Sequence, residues 1–115
     1  LVSTSAHSEE DAYAAALALL HAGTATAIFA ANNRATVGAL RAFADEDPRL
    51  PLIGFDDFEA ATLVRPAISV VSQDTQAMGR LAAEVVLQRL DPNAPTSSRF
   101  EVLPTRLLLR GSEGV

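Results

Sequence analysis

Leu50-Pro51-Leu52-Ile53-Gly54-Phe55-Asp56-Asp57-Phe58 is the stretch whose reading decides the rest of the chain. An apolar run this short, fenced by Pro51 and stopped by two adjacent carboxylates, reads as a strand buried on both faces, as in a parallel sheet. Asp56 and Asp57 then fall at the strand's carboxyl end, the edge at which open α/β sheets bind ligands. Whether they hold a ligand, a metal or only a turn becomes the main question.

Working back from that strand, Asp45-Glu46-Asp47-Pro48-Arg49 is a polar turn whose proline cannot continue a helix. From Arg34 to about Ala44, Val37, Leu40 and Ala44 recur at helical spacing, with Ala35, Ala39 and Phe43 beside them. Such a helix is apolar around more of its circumference than one sheet face requires, so it needs a second packing partner. Ala25 to Ala31, centred on Ile28 and Phe29, reads as another buried strand, and Asn32-Asn33 ends it as Asp56-Asp57 ends its neighbour. Ser8 with Asp11 resembles a capping box, Ala12, Ala15, Ala16, Leu19 and Leu20 form the apolar stripe of a first helix, and Gly23 supplies its stop. Leu1-Val2-Ser3 reads as the end of a strand, so a chain that starts there without Met is expected to be truncated.

Working forward, Phe58 to Leu63 has room for only about two helical turns before Pro66. Ile68 to Val71 has the β-branched content of a strand and ends in Ser72-Gln73-Asp74. Asp74 or Thr75 caps a third helix in which Met78, Leu81, Ala82, Val85, Val86 and Leu90 keep helical spacing, and Asp91-Pro92-Asn93 ends it. Ala94 to Ser98 reads as a surface loop. Phe100 to Leu103 and Leu107 to Leu109, split by Pro104 and closed by Arg110-Gly111-Ser112, read as peripheral strands. Gly38 and Gly79 lie inside helices, where close packing is the expected reason for a glycine. The alternation of strands and helices predicts an α/β fold: an open parallel sheet flanked by helices.

Composition narrows the function. A net charge of −5 with no basic cluster argues against a phosphate backbone being held by this stretch. The absence of cysteine removes disulfides, thiolate nucleophiles and Cys-ligated zinc, and fits a reducing compartment. No secretory signal pattern opens the chain, and no apolar run approaches the ~18 residues of a membrane span, so the expected location is the cytoplasm.

Three strand ends carry polar side chains: Asn32-Asn33, Asp56-Asp57 and Gln73-Asp74. Amides do not titrate, so an amide-and-carboxylate set is poor at acid–base work, but it suits a neutral polyol, with Asp accepting from hydroxyls and Asn or Gln doing both. Asn32, Asp56 and Gln73 are the expected ligand contacts. Asn33, Asp57 and Asp74, the second member of each pair, are expected to cap helices or close turns. An alternative takes Asp56 and Asp57 as oxygen ligands for Mg²⁺ in a receiver-like or phosphatase-like protein, although adjacent side chains diverge and no further acidic pair completes the set. His7 and His21 read as solvated or capping residues, and Ser69, Ser72 and Ser112 lie in no nucleophile-elbow context.

Taken together, Thr26 to Asn33, Val37-Gly38-Ala39-Leu40-Arg41-Ala42, Leu52 to Asp57, Arg65 to Asp74, Met78 to Ala83 and Leu103 to Ser112 resemble the effector-binding domain of LacI-family transcription regulators. The resemblance implies the C-terminal part of a fold shared with periplasmic sugar-binding proteins. Residues 1–71 would form the βα units of one subdomain, residues 72–98 a helix crossing to the other, and residues 99–115 the returning strands. It also implies a sugar-like effector contacted by Asn32, Asp56 and Gln73, no cofactor and no catalysis. A homodimer would form through Val37, Leu40, Arg41, Ala44 and Phe58. DNA would be bound only through a helix-turn-helix domain lying outside this stretch. Two departures stand out: Asn33 where the family usually has Asp, and Ile68-Ser69-Val70 where it usually has Leu-Thr-Thr. A transporter's solute-binding protein is the alternative with the same fold.

Overall fold

The computed structural model describes Val2 and residues 8–47, 49–91 and 100–114. Ser8 starts the first helix, α1 (Glu9–Ala22), through a reciprocal capping box with Asp11, and Gly23 ends it in the left-handed conformation expected of a glycine stop. β1 (Ile28–Ala30), α2 (Asn33–Asp45) and β2 (Leu52–Phe55) follow, then a 3-10 turn at Glu59–Thr62 and β3 (Ser69–Gln73). Then come α3 (Thr75–Arg89), β4 (Thr105–Leu108) and a closing 3-10 turn at Ser112–Gly114. The sheet order is β1-β2-β3-β4, and β2 pairs in parallel with β1 on one side and β3 on the other. This is the α/β open sheet that the alternation predicts.

The chain divides into two compact units, Leu1–Ser72 with Leu107–Val115, and Gln73–Arg106. The core of the first is built from small residues: Ala16, Ala30, Ala39, Ala42 and Ala61 with Phe43, Leu52, Ile68 and Val70. Alanine at these positions lets helix backbones come close to the sheet, and glycine takes this further at two points. A Cβ on Gly54 would lie 2.6 Å from the Thr36 hydroxyl, so α2 can lean on β2 only where β2 has no side chain. A Cβ on Gly38 would lie 2.5 Å from the Glu9 carbonyl oxygen and 2.7 Å from the Tyr13 nitrogen, both backbone atoms of α1. α1 is therefore the second partner that the broad apolar surface of α2 requires.

Five expectations are corrected. β2 is not equally buried on both faces: Leu52 and Gly54 are buried against α2, whereas Ile53 and Phe55 are half-buried. β1 covers three residues rather than the whole Ala25–Ala31 run, and its Phe29 is 60% exposed. Phe100 to Leu103 form no strand; the chain enters the sheet at Thr105, after Pro104, which has no N–H to donate. The following strand ends at Leu108 rather than Leu109, because the Arg110 N–H is donated to the Ser69 hydroxyl. Gly79 meets nothing within 4 Å of its missing Cβ, so close packing does not account for it.

In the second unit, Asp74 caps α3 by accepting from the Ala77 N–H at 2.8 Å. Its apolar stripe keeps helical spacing, yet the helix buries no residue, and Met78, Val86, Leu87 and Leu90 are exposed. The expected Ala94–Ser98 loop, the Leu1 and Ser3 ends of the expected first strand, His7 and Pro48 lie outside the described residues. No helix among the described residues is long and apolar enough to cross a membrane.

The two helical glycines should respond oppositely to substitution. Gly38→Ala is expected to destabilise by about 1–3 kcal/mol, because backbone rather than a flexible side chain stands in the way. Gly79→Ala is expected to stabilise by about 0.4–1 kcal/mol through the unfolded chain. Urea unfolding midpoints of the two variants check both signs.

Candidate functional site

The parallel register brings two of the expected contacts level with one another. Ala30 of β1 faces Gly54 of β2, and Asn32 and Asp56 each stand two residues further along. Both lie at the carboxyl edge of the sheet, where strands hand over to the segments that follow them. Gln73 is the last residue of β3 and belongs to the second unit.

Asn32 is the N-cap of α2: its Oδ1 accepts from the Ala35 N–H at 2.8 Å, while its backbone carbonyl takes the Thr36 hydroxyl at 3.0 Å. The capping role expected of Asn33 thus falls to Asn32, because the helix starts at residue 33 itself. Capping uses only the carbonyl oxygen of the side chain, so it does not consume the amide NH₂, a donor suited to a hydroxyl.

Asp56 has φ 71°, the only non-glycine left-handed residue among those described. Asp tolerates this region better than most residues, at a cost on the order of 1 kcal/mol. Its N–H is tied to the Val71 carbonyl at 2.9 Å, so the strand pairing continues to the residue where the chain turns. The side chain is half-buried at the sheet edge.

Asp57 has a different task. Both its carboxylate oxygens accept from Arg110, at 2.7 Å each, and Oδ1 also takes the Phe58 N–H at 3.0 Å. The guanidinium fork holds the Asp57 carboxyl below the usual carboxylate range, with burial opposing and the Phe58 N–H assisting. A metal reading of the Asp56-Asp57 pair loses one ligand here, since a fixed cation already covers the Asp57 oxygens. No group of three or more metal-ligating side chains occurs among the described residues.

Arg110 stands in a segment whose other residues are also pinned. Its N–H donates to Ser69 Oγ at 2.7 Å and its Nη1 to the Ile68 carbonyl at 3.2 Å. The buried Ser112 hydroxyl donates to the Leu52 carbonyl at 2.6 Å and accepts from the Ser69 N–H at 2.9 Å. The Ser69 hydroxyl in turn donates to Glu113, which holds that carboxyl below its ordinary range. Sequence reading does not give these bonds: it weighs Ser69 and Ser112 as nucleophiles, Ser69 also as a departure from the family pattern, and Arg110 as part of the close of a strand. The available signal was Ser69 itself, a hydroxyl inside an apolar strand, which needs a polar partner.

Of the residues expected at a dimer contact, Val37, Leu40, Arg41 and Ala44 recur at i, i+3, i+4 and i+7 along α2, all half-buried or exposed. Arg41 donates to Glu9 and Glu10 of α1 at 3.0 and 3.1 Å and sits over the Tyr13 ring at 4.9 Å. Phe58 packs against the core and Val37 is half-buried. Leu40 and Ala44 instead line an open cleft of about 260 Å³ with Leu50, Val64 and Pro66. A larger trough of about 650 Å³ runs beside β1, lined largely by small apolar side chains, and includes Asn32 but not Asp56.

An open parallel sheet whose carboxyl edge carries an amide and a carboxylate has the architecture in which α/β folds take small ligands. The chain belongs to the periplasmic binding protein-like domain family, whose model matches residues 1–113. It is similar to the ribose operon repressor of Haemophilus influenzae, with 34% identity over 91 residues that cover 76% of this chain and 27% of that protein. Among solved structures it is similar to a LacI-family transcriptional regulator from Sanguibacter keddieii, with TM-score 0.83 and 26% identity over 99% of this chain and 44% of that one. Another is a LacI-family regulator from Arthrobacter in complex with lactose, with TM-score 0.75 and 28% identity over 93% of this chain and 42% of that one. The chain therefore spans about a quarter of the length of the repressor it matches.

Acidification tests the Asp57–Arg110 pair. The folded Asp57 titrates below its unfolded value, so its stabilising contribution is complete above the ordinary carboxylate range and is lost as pH falls through the folded value. Urea midpoints of the unmodified chain should therefore decline on acidification below about pH 4. Asp57→Asn should be less stable at neutral pH and should lose less over that acid range.

Proposed function

We propose that this chain is part of the effector-sensing domain of a LacI-type transcriptional repressor, and that its effector is a sugar or a closely related polyol. The observation that carries this reading is the level placement of Asn32 and Asp56 at the carboxyl ends of paired parallel strands. An ionised Asp accepts from two neighbouring hydroxyls, and the Asn amide supplies a donor beside it, a set that recognises a vicinal diol without chemical change. The ribose operon repressor and the lactose-bound regulator support a sugar over other small polar ligands. Gln73 stays a candidate contact on the sequence pattern alone. In the whole protein the effector would act through its differential affinity for two arrangements, shifting the occupancy of operator DNA bound by a separate domain in the cytoplasm.

Pairing of two copies belongs to the same proposal, and the apolar lining of the cleft at Leu40, Ala44, Val64 and Pro66 supports it. Arg41, committed to α1, has less to offer a partner than the sequence suggests.

Calorimetric titration of D-ribose and of lactose into the longest reading frame that carries this chain tests the sugar site. One of the two is expected to bind, and Asp56→Asn, which tolerates the same left-handed backbone, is expected to weaken it roughly ten- to a hundred-fold by removing a charged acceptor. Unchanged affinity in Asp56→Asn would remove Asp56 from the site. Sedimentation velocity on the same samples should show a dimer, and a monomer at every concentration would count against pairing.

A further inference from the structure

We propose that Arg110 is a positioning residue of the candidate site: by gripping the Asp57 carboxylate it holds the turn in which Asp56 presents its own carboxylate at the sheet edge. The inference rests on the reading of Asp56 as a sugar contact. It starts from the conformation of Asp56, which is left-handed and so needs support from its neighbours to persist.

That support comes from both sides. The Asp56 N–H is tied to Val71 at 2.9 Å, which fixes where the strand ends. The next residue is held through its side chain, with two guanidinium bonds of 2.7 Å, and the one after that by packing of the Phe58 ring against the core. Of the two hydrogen-bonded restraints, only that from Arg110 comes from outside the β2–β3 region of the chain. Arg110 and Asp57 are 20% and 34% exposed, dry enough for a bidentate pair to hold its geometry. Arg110 is itself immobilised on the start of β3 by its bonds to Ser69 and Ile68.

The Asp57 pair is not needed to dock the C-terminal segment, which has its own anchors. Ser112 bonds Leu52 and Ser69, Glu113 takes the Ser69 hydroxyl, and Gly111 pairs with Ala67. What the guanidinium adds is therefore felt mainly by the turn. A carboxylate that must meet ligand hydroxyls within a few tenths of an ångström depends on such outer contacts.

NMR on the chain, free of sugar, reads the claim directly. A positive φ brings an amide proton close to its own Hα, giving a strong intraresidue cross-peak at Asp56. Asp57→Asn and Arg110→Gln are expected to weaken that cross-peak while the amide signals of Gly38 and Ala42, at the packing of α2, keep their positions. Asp57→Asn leaves the bonds of Arg110 to Ser69 and Ile68 in place, so it decides the matter where Arg110→Gln unfolds. An Asp56 cross-peak unchanged in Asp57→Asn overturns the proposal. In the sugar titration, Asp57→Asn is expected to weaken binding about ten-fold. Wild-type affinity in Asp57→Asn alongside lost binding in Asp56→Asn overturns the positioning role alone. Wild-type affinity in Asp56→Asn overturns the sugar site, and the cross-peak still decides what Arg110 does to the turn.

Discussion

The parallel ladder that fixes β2 between β1 and β3 is the constraint on which the rest depends. Because Ala30 faces Gly54, the residues two steps on, Asn32 and Asp56, are brought level at the sheet edge. A slip of one residue would turn Leu52 and Gly54 away from α2 and remove Asp56 from its edge, since strand side chains alternate with period two. Burial guards against that slip: Leu52 is almost wholly buried, and Gly54 is the one place on β2 that accepts Thr36.

Small residues carry that constraint outward. Gly38 brings α1 against α2, and five alanines in the core keep helices near the strands. Asn32, which caps α2 while standing at the edge, belongs at once to the packing and to the candidate site. Its backbone carbonyl also takes the Thr36 hydroxyl, the group that Gly54 admits. The edge is therefore positioned by the same contacts that stabilise the first unit.

Local chemistry was legible in the sequence and long-range chemistry was not. The bounds of β2 follow from Pro51 and Asp56, the start of α1 from Ser8 and Asp11, and the start of α3 from Asp74, because each signal lies within a few residues of what it specifies. The second helix was recognised as over-apolar, but only the structure shows Gly38 meeting α1. The Asp57–Arg110 pair joins residues 53 apart and the Ser112–Leu52 bond residues 60 apart, and no periodicity announces such pairs. Asp57 could be set aside as a turn residue from its position, yet its partner could not be named. Burial of Ile53 and Phe55 was overestimated for a similar reason, since an apolar run does not say which of its faces a helix covers.

The central claim is that ligand chemistry takes place at the edge marked by Asn32 and Asp56. Amide chemical-shift mapping of the chain during titration with D-ribose and with lactose tests it most directly. The account predicts that the largest shifts fall on Asn32, Asp56 and their immediate neighbours at the carboxyl ends of β1 and β2. Shifts concentrated instead around Leu50, Val64 and Arg65, in the cleft where β2 begins, would contradict it.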